Sequence, residues 1–128
     1  MILNKNEIVL QIFFMHKLKE KADKLYHHLS PTECERVSQY NTAEKRDRFI
    51  LSRGILKEVL SKHLEIDPKN IEIHYSKFNK PYLSQGLQFN ISHSQDLLII
   101  GLSLDYLLGV DIEFCRPKNS IPELVPKN

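Results

Sequence analysis

Asp111 and Glu113 stand two residues apart in Gly109-Val-Asp-Ile-Glu113, with the apolar Val110 and Ile112 set alternately beside them. In a strand, residues two apart share a face, so the two carboxylates project together. Carboxylates that close repel one another unless a cation lies between them. Hard oxygen donors that leave positions open for water and phosphate oxygens suit Mg²⁺. Upstream, Asn79-Lys-Pro-Tyr-Leu83 sets Lys80 in a loop stiffened by Pro81, which aims an ammonium at a phosphate. Between the two, Phe89-Asn-Ile-Ser-His-Ser94 closes a strand with small polar residues and an imidazole. Side chains and backbone N–H groups at such a strand end can meet an anion. Each motif alone has a plainer reading, as an exposed strand face or a polar strand end. A Ser-His-Asp triad fits poorly, because nothing in the chain has the form of a nucleophile elbow.

A second source of positive charge lies on the segment after Thr42. At helical spacing Phe49, Ser52, Leu56, Val59, Leu60 and His63 share one face. Arg46, Arg53 and Lys57 form a row along one flank, with Arg48 and Lys62 on the other. Such a row can hold a phosphate while its stems cover apolar surface. It can equally be a solvated amphipathic edge. His63, on the apolar face, reads as a packing residue.

The elements that position these residues follow from local pattern. Ile8 to Phe14 is β-prone and predicts a first strand. Lys17 to Leu29, rich in Lys, Leu, Ala and Glu, predicts a helix. Ser30-Pro-Thr-Glu33 is a helix start, with Ser at the cap, Pro at the first helical position and Glu at the third, and the helix runs to about Tyr40. Thr42 caps a longer helix that ends near Leu64, before Pro68. Ile71 to Tyr75 alternates as a strand. Leu87 to Ser92, Leu97 to Leu104 and Leu107 to Glu113 predict three more, the last two joined by a hairpin turn at Asp105-Tyr106. Arg116 to Asn128 carries three prolines and predicts no further core element. The class is α+β, with helices packed on a small antiparallel sheet.

Bulk properties narrow the functions. A chain of 128 residues, 41% hydrophobic and 27% charged, fits one ordinary globular domain. Ile8 to Met15, eight residues broken by Gln11, falls short of the roughly 20 that a membrane span needs. It has no small-residue cleavage site after it, so no signal peptide is expected. Two cysteines make neither a disulfide framework nor a zinc cluster, and a reduced cytoplasm is the expected location. Net charge is +2, with twelve basic and eight acidic residues up to Leu64 and six and eight after it. That mild asymmetry suits an anionic small ligand and lacks the basic bias of a nucleic-acid domain.

The ordered succession Asn79-Lys-Pro, Phe89-Asn-Ile-Ser-His-Ser94 and Gly109-Val-Asp-Ile-Glu113 resembles the 4′-phosphopantetheinyl transferases of the surfactin-synthetase (Sfp-like) type. The family's first motif is usually Gly-Lys-Pro, so Asn79 is a departure. Leu29-Ser-Pro31 with Glu35-Arg36, the helix Arg48 to Lys57, and Ser120-Ile-Pro-Glu123 extend the likeness over Leu29 to Glu123. The resemblance implies transfer of the phosphopantetheine arm of coenzyme A to a serine of an acyl or peptidyl carrier protein. It implies two similar α+β halves with coenzyme A and Mg²⁺ between them. By position, Arg36, Lys80, Pro81, Ser92 and His93 resemble coenzyme A contacts, with Arg48 and Arg53 as further candidates. Asp111 and Glu113 resemble the Mg²⁺ ligands and, with His93, the catalytic set.

The family's second half carries Trp-x-x-Lys-Glu-Ala, and this chain has no Trp. The short holo-acyl-carrier-protein synthases of the same superfamily place their Asp motif near the N-terminus, whereas Asp111 comes late. The expectation is therefore an N-terminal transferase subdomain over residues 1–115 and a linker over 116–128 toward a missing half. Such a half would expose an apolar strip along its late strands and would take a second half-chain or self-associate. It would be incomplete as an enzyme on its own. A non-catalytic coenzyme A and Mg²⁺-binding remnant is the alternative. A nucleic-acid-binding domain using Arg46, Arg53 and Lys57 is a distant one, since no aromatics interleave that row. No membrane partner is expected.

Overall fold

The structure is a computed structural model that describes residues 7–78, 80–84, 87–104, 111–115 and 123–127, the last two segments by backbone alone. Two units make up the described residues, a helical one over Phe13–Glu72 and a sheet unit formed by residues 7–12 and by those described from Ile73 onward.

In the helical unit, α1 (Met15–Leu18) and α2 (Ala22–Tyr26) are joined by a 3₁₀ turn at Lys19–Lys21. The continuous helix expected over Lys17 to Leu29 is thus broken and ends early at Tyr26. Composition favoured helix throughout, but α2 has no side chain capping its start. Helix α3 (Pro31–Ser38) begins as its sequence dictates: Ser30 Oγ accepts from Glu33 N–H at 3.2 Å and Ser30 N–H donates to Glu33 Oε1 at 2.9 Å. The Thr42 hydroxyl caps α4 (Ala43–Leu64), accepting from Lys45 N–H at 3.1 Å. The helix closes on Glu65 in the left-handed conformation, φ 57°, so the chain turns before Pro68 has any part in it.

Helix α4 is buried on more than the single apolar seam its pattern predicts. Leu51, Arg53, Gly54, Ile55, Leu56, Lys57, Val59 and Leu60 are all buried. Close approach explains part of this. A Cβ on Gly54 would sit 2.6 Å from Leu25 Cβ, so α2 and α4 meet where only glycine fits. Leu29, Val37 and Phe49 form a cluster against which Cys34, Tyr40 and Ile50 pack.

In the sheet unit, β2 (His74–Tyr75) pairs antiparallel with β3 (Pro81–Tyr82), with His74 opposite Tyr82. The strand expected over Ile71 to Tyr75 is reduced to its last two residues. A three-stranded sheet has the order β1 (Ile8–Phe14), β5 (Leu97–Ser103), β4 (Gln88–Ser94). Strands β4 and β5 are antiparallel, with Ser92 opposite Ile99 and His93 opposite Leu98.

Three expectations are corrected here. Strand β6 (Asp111–Cys115) pairs with β7 (Glu123–Lys127) in a separate ribbon and forms no hairpin with β5; the turn predicted at Asp105-Tyr106 lies outside the described residues. The proline-rich tail supplies β7, with Pro126 opposite Ile112, since a proline is tolerated where no ladder donor is needed. Among the described side chains, the exposed apolar strip lies on β1, where Ile8, Leu10, Ile12 and Phe14 are all exposed. Strand β5 is instead buried from Leu98 to Ser103.

Candidate functional site

Within the sheet unit, the β2–β3 hairpin carries Lys80 at its tip. Ser76 organises the turn: its N–H donates to the Lys80 carbonyl at 2.9 Å, and its hydroxyl accepts from the N–H groups of Lys80 (3.1 Å) and Phe78 (3.3 Å). Lys80 is exposed and Pro81, half-buried, opens β3 opposite Tyr75. The stiffened loop read from Lys-Pro is therefore held by Ser76 as well as by the proline ring. On β4, residues 89, 91 and 93 share a face by strand alternation. That face runs from buried Phe89 to exposed His93, while Ser92 is half-buried on the other. The fold thus brings the imidazole out of the core at the strand's end.

Asp111 and Glu113 lie on β6, opposite Lys127 and Val125 in register. Their side chains lie outside the described residues. Where side chains are described, no three of His, Cys, Asp and Glu gather as a metal site.

Within the helical unit, Arg36 is half-buried on α3. Its Nε–H donates to the Tyr40 hydroxyl at 3.3 Å, and its guanidinium carbon lies 5.0 Å from the Phe49 ring centroid. Arg53 stands 5.2 Å from the same centroid, with its Nε 4.0 Å from Glu33 Oε2. Lys57 is 1% exposed and its ammonium pairs with Glu33 Oε1. The expected basic row is corrected accordingly. Two of its three members point into the unit toward Glu33, while Arg46 donates to the Tyr40 carbonyl at 2.9 Å. A phosphate-binding or nucleic-acid face along that row loses its basis. Arg48 is exposed and pairs with Glu44 one turn earlier at 3.5 Å. His63 packs as expected, its Nδ1 3.0 Å from the Val59 carbonyl.

Two features were not singled out from sequence. Glu33 is an obvious capping residue, yet the Arg53 and Lys57 spacing of four that matches it across helices was the only hint of its second role. Phe49 reads as core, and nothing local marks it as the ring two guanidinium groups share. The phenol of Tyr26 is held above its usual range, first by its hydrogen bond with Cys34 and then by that group's charge. A pocket of about 440 Å³ in this unit is lined by Lys19, Asp23, Tyr26, Asp47 and apolar neighbours, none of them a predicted ligand residue.

The family described as 4′-phosphopantetheinyl transferase, N-terminal, matches residues 17–103. The chain belongs to that family. The match takes in Arg36, Lys80, Ser92 and His93 and stops short of Asp111. Among relatives, the transferase HetI of Nostoc sp. is 33% identical over 104 residues, 77% of this chain and 44% of HetI. Sfp of Bacillus subtilis is 25% identical over 101 residues, 77% of this chain and 45% of Sfp. The chain thus spans less than half the length of these transferases. Its fold is that of the Helicobacter pylori holo-[acyl-carrier-protein] synthase AcpS, solved with coenzyme A, at a TM-score of 0.55 and 23% identity over 77% of this chain and 100% of that one. The mixed helix and antiparallel-sheet class is therefore the fold of this family.

Proposed function

We propose that this chain binds coenzyme A and supplies the N-terminal part of a transferase that moves its phosphopantetheine arm to a serine of a carrier protein. The observation that carries the reading is the family match across Arg36, Lys80 and His93. Lys80 on its Ser76-braced tip and His93 at the exposed end of β4 are fitted to meet phosphates by charge-assisted hydrogen bonds. Arg36, oriented by Phe49 and Tyr40, is fitted to add a guanidinium. Pro81, Ser92 and Arg48 complete the proposed binding set, and Arg53, buried against Glu33, leaves it. Asp111 and Glu113, hard oxygen donors two apart on β6, fit Mg²⁺ by donor chemistry and would hold it. Bound there, the ion would offset charge on the pyrophosphate as its bridging P–O bond breaks and the nucleotide phosphate leaves.

Residues 1–115 form the transferase subdomain in this reading and 116–128 a linker; a second half-chain or a second copy is a proposed partner. We place the protein in the cytoplasm; no described helix is long and apolar enough to cross a membrane. A second reading is a coenzyme A-binding chain without turnover: the family match takes in Lys80 and His93 and stops short of Asp111.

One experiment separates the two. The chain is incubated with coenzyme A, Mg²⁺ and an apo carrier protein, and the carrier is weighed by mass spectrometry, with coenzyme A binding followed by calorimetry. Binding with modification near background is expected of the isolated chain. Rapid stoichiometric gain of one phosphopantetheine shows a full site assembled from these residues. Absence of coenzyme A binding overturns both readings.

A further inference from the structure

Helices α2 and α4 touch at Leu25 and Gly54, and one turn before Gly54 the seam between them holds a cavity of about 440 Å³. That volume suits a small-molecule site. Its lining follows helical spacing on both sides: Lys19, Asp23 and Tyr26 on one wall, Asp47, Ile50 and Leu51 on the other. The floor is apolar, with Leu51 buried and Ile50 and Ala22 half-buried. Tyr26 is 41% exposed, so its ring forms a wall and leaves the space open. The phenol is tied to Cys34 by a hydrogen bond, and the His27 ring stands at 90° to it with centroids 6.1 Å apart. Such a ring keeps its place and offers a π face. Asp23 and Asp47 are exposed, and among the described residues neither carboxylate has an ion pair or a side-chain hydrogen bond. Lys19 is exposed as well. Two acids against one lysine leave the lining with a net negative charge.

We propose that this cavity binds a small organic cation, a primary amine on a compact apolar body. The body covers Ala22, Ile50 and Leu51, while Asp23, Asp47 and the Tyr26 ring draw the ammonium. Anions are disfavoured by the same two carboxylates. Zwitterions gain less than cations, because their own carboxylate meets the negative lining. The site lies within the helical unit and uses none of the residues proposed to meet coenzyme A, so it stands or falls apart from that reading.

The test titrates the full, isotope-labelled chain with 2-phenylethylamine and follows its amide resonances, with phenylalanine and phenylacetate as probes of the same ring and different charge. Saturable shifts are expected at residues 19–26 and 47–51 with the amine, at a roughly millimolar dissociation constant for so few ligand atoms. Phenylalanine is expected to bind more weakly and phenylacetate not at all. Asp23→Asn and Asp47→Asn each weaken the amine about threefold, and Lys19→Met tightens it by a similar factor. These three positions are exposed, so the variants melt near the parent. Ala22→Leu fills the cavity and abolishes the shifts, and unchanged resonances in the sheet unit show that the chain is still folded. Absence of saturable shifts at these residues overturns the site. Phenylacetate binding as tightly as the amine, or phenylalanine binding more tightly with loss in Lys19→Met, overturns the assignment to a cation.

Discussion

Lys57 on α4 places its ammonium against the carboxylate of Glu33 on α3, with the two side chains 1% and 7% exposed. The same carboxylate receives the Ser30 N–H and faces Arg53. One acid therefore starts α3 and fastens it to α4. Two buried charges lose their hydration, and the pair holds only while both partners are present. Lys57→Met is expected to destabilise the chain by about 3 kcal/mol, because the buried carboxylate loses its nearest cation and keeps only the more distant Arg53. Glu33→Gln with Lys57→Met is expected to recover part of that loss. Urea unfolding of Lys57→Met, Glu33→Gln and the double variant measures it, and additive losses would show that the pair is not coupled.

Gly54→Ala sets helix propensity against packing. On an exposed helix the change would stabilise by up to about 1 kcal/mol. Here the new methyl would stand 2.6 Å from Leu25 Cβ and 2.7 Å from the Leu25 carbonyl oxygen. Backbone atoms cannot swing aside, so α2 must shift, and overpacking of this kind costs about 1–3 kcal/mol. A lower melting temperature is expected; a higher one would mean that α2 does not approach α4 as described.

Much of this arrangement was legible in the sequence. The start of α3 at Ser30, the Thr42 cap of α4 and strands β1, β4 and β5 follow from local chemistry and periodicity, because each is decided by residues within a few positions. The partner of Lys57 was not legible, since Glu33 lies in another helix and pattern alone treats both as surface charges. The pairing of β6 with β7 escaped for a similar reason. Pro126 speaks against a strand locally, while pairing with Ile112 is decided by the ladder. Of the candidate site, Lys80 and His93 are exposed, and their role as ligand contacts is a proposal. Convergence with Arg36 was an expectation of the resemblance, and Arg36 belongs to the other unit.

Tyr26 gives a pH-dependent signature. Its hydrogen bond with Cys34 favours the neutral phenol, and the charge of Cys34 acts in the same direction, so the folded state holds the proton more tightly than the unfolded one. The associated stability is present below the ordinary value of 10.0 and is lost as pH rises through the folded value. Tyrosinate absorbance of the chain minus that of Tyr26→Phe isolates this group. Cys34→Ala is expected to bring its midpoint down toward 10.0; an unmoved midpoint would detach the two side chains.

Strand β1 exposes Ile8 and Ile12 at 53% each on the same face as Leu10 and Phe14. An apolar edge strand is a site of unwanted pairing. Replacing Ile8 and Ile12 by Thr keeps β-branching and removes apolar surface. Stability is expected to change by less than about 0.5 kcal/mol for each exposed site, while self-association seen by sedimentation falls. Equal sedimentation of parent and variant would assign any association to another surface.

Phe49 ties the structural and functional arguments together. Its ring is 6% exposed and has the guanidinium carbons of Arg36 and Arg53 at 5.0 and 5.2 Å from its centroid. Two cations can share a ring because its π surface attracts both, and Glu33 balances the charge on the Arg53 side. Phe49→Leu keeps the site apolar but removes the quadrupole and part of the volume that Leu29 and Val37 pack against. The loss in stability is expected near 2–3 kcal/mol, about 1 kcal/mol from packing together with about 0.5–1 kcal/mol for each of the two cation–π contacts. Arg36 then loses the ring beneath its guanidinium and keeps the bond from its Nε to Tyr40. If Arg36 meets coenzyme A as proposed, affinity falls several-fold beyond what unfolding removes. Phe49→Tyr keeps a π face and restores both properties, whereas a purely packing role would let Phe49→Met serve equally well. Calorimetric titration of coenzyme A into the Leu, Tyr and Met variants, each compared at a temperature where it is fully folded, distinguishes the two. Equal affinity in Met and Tyr would leave Phe49 a core residue and nothing more.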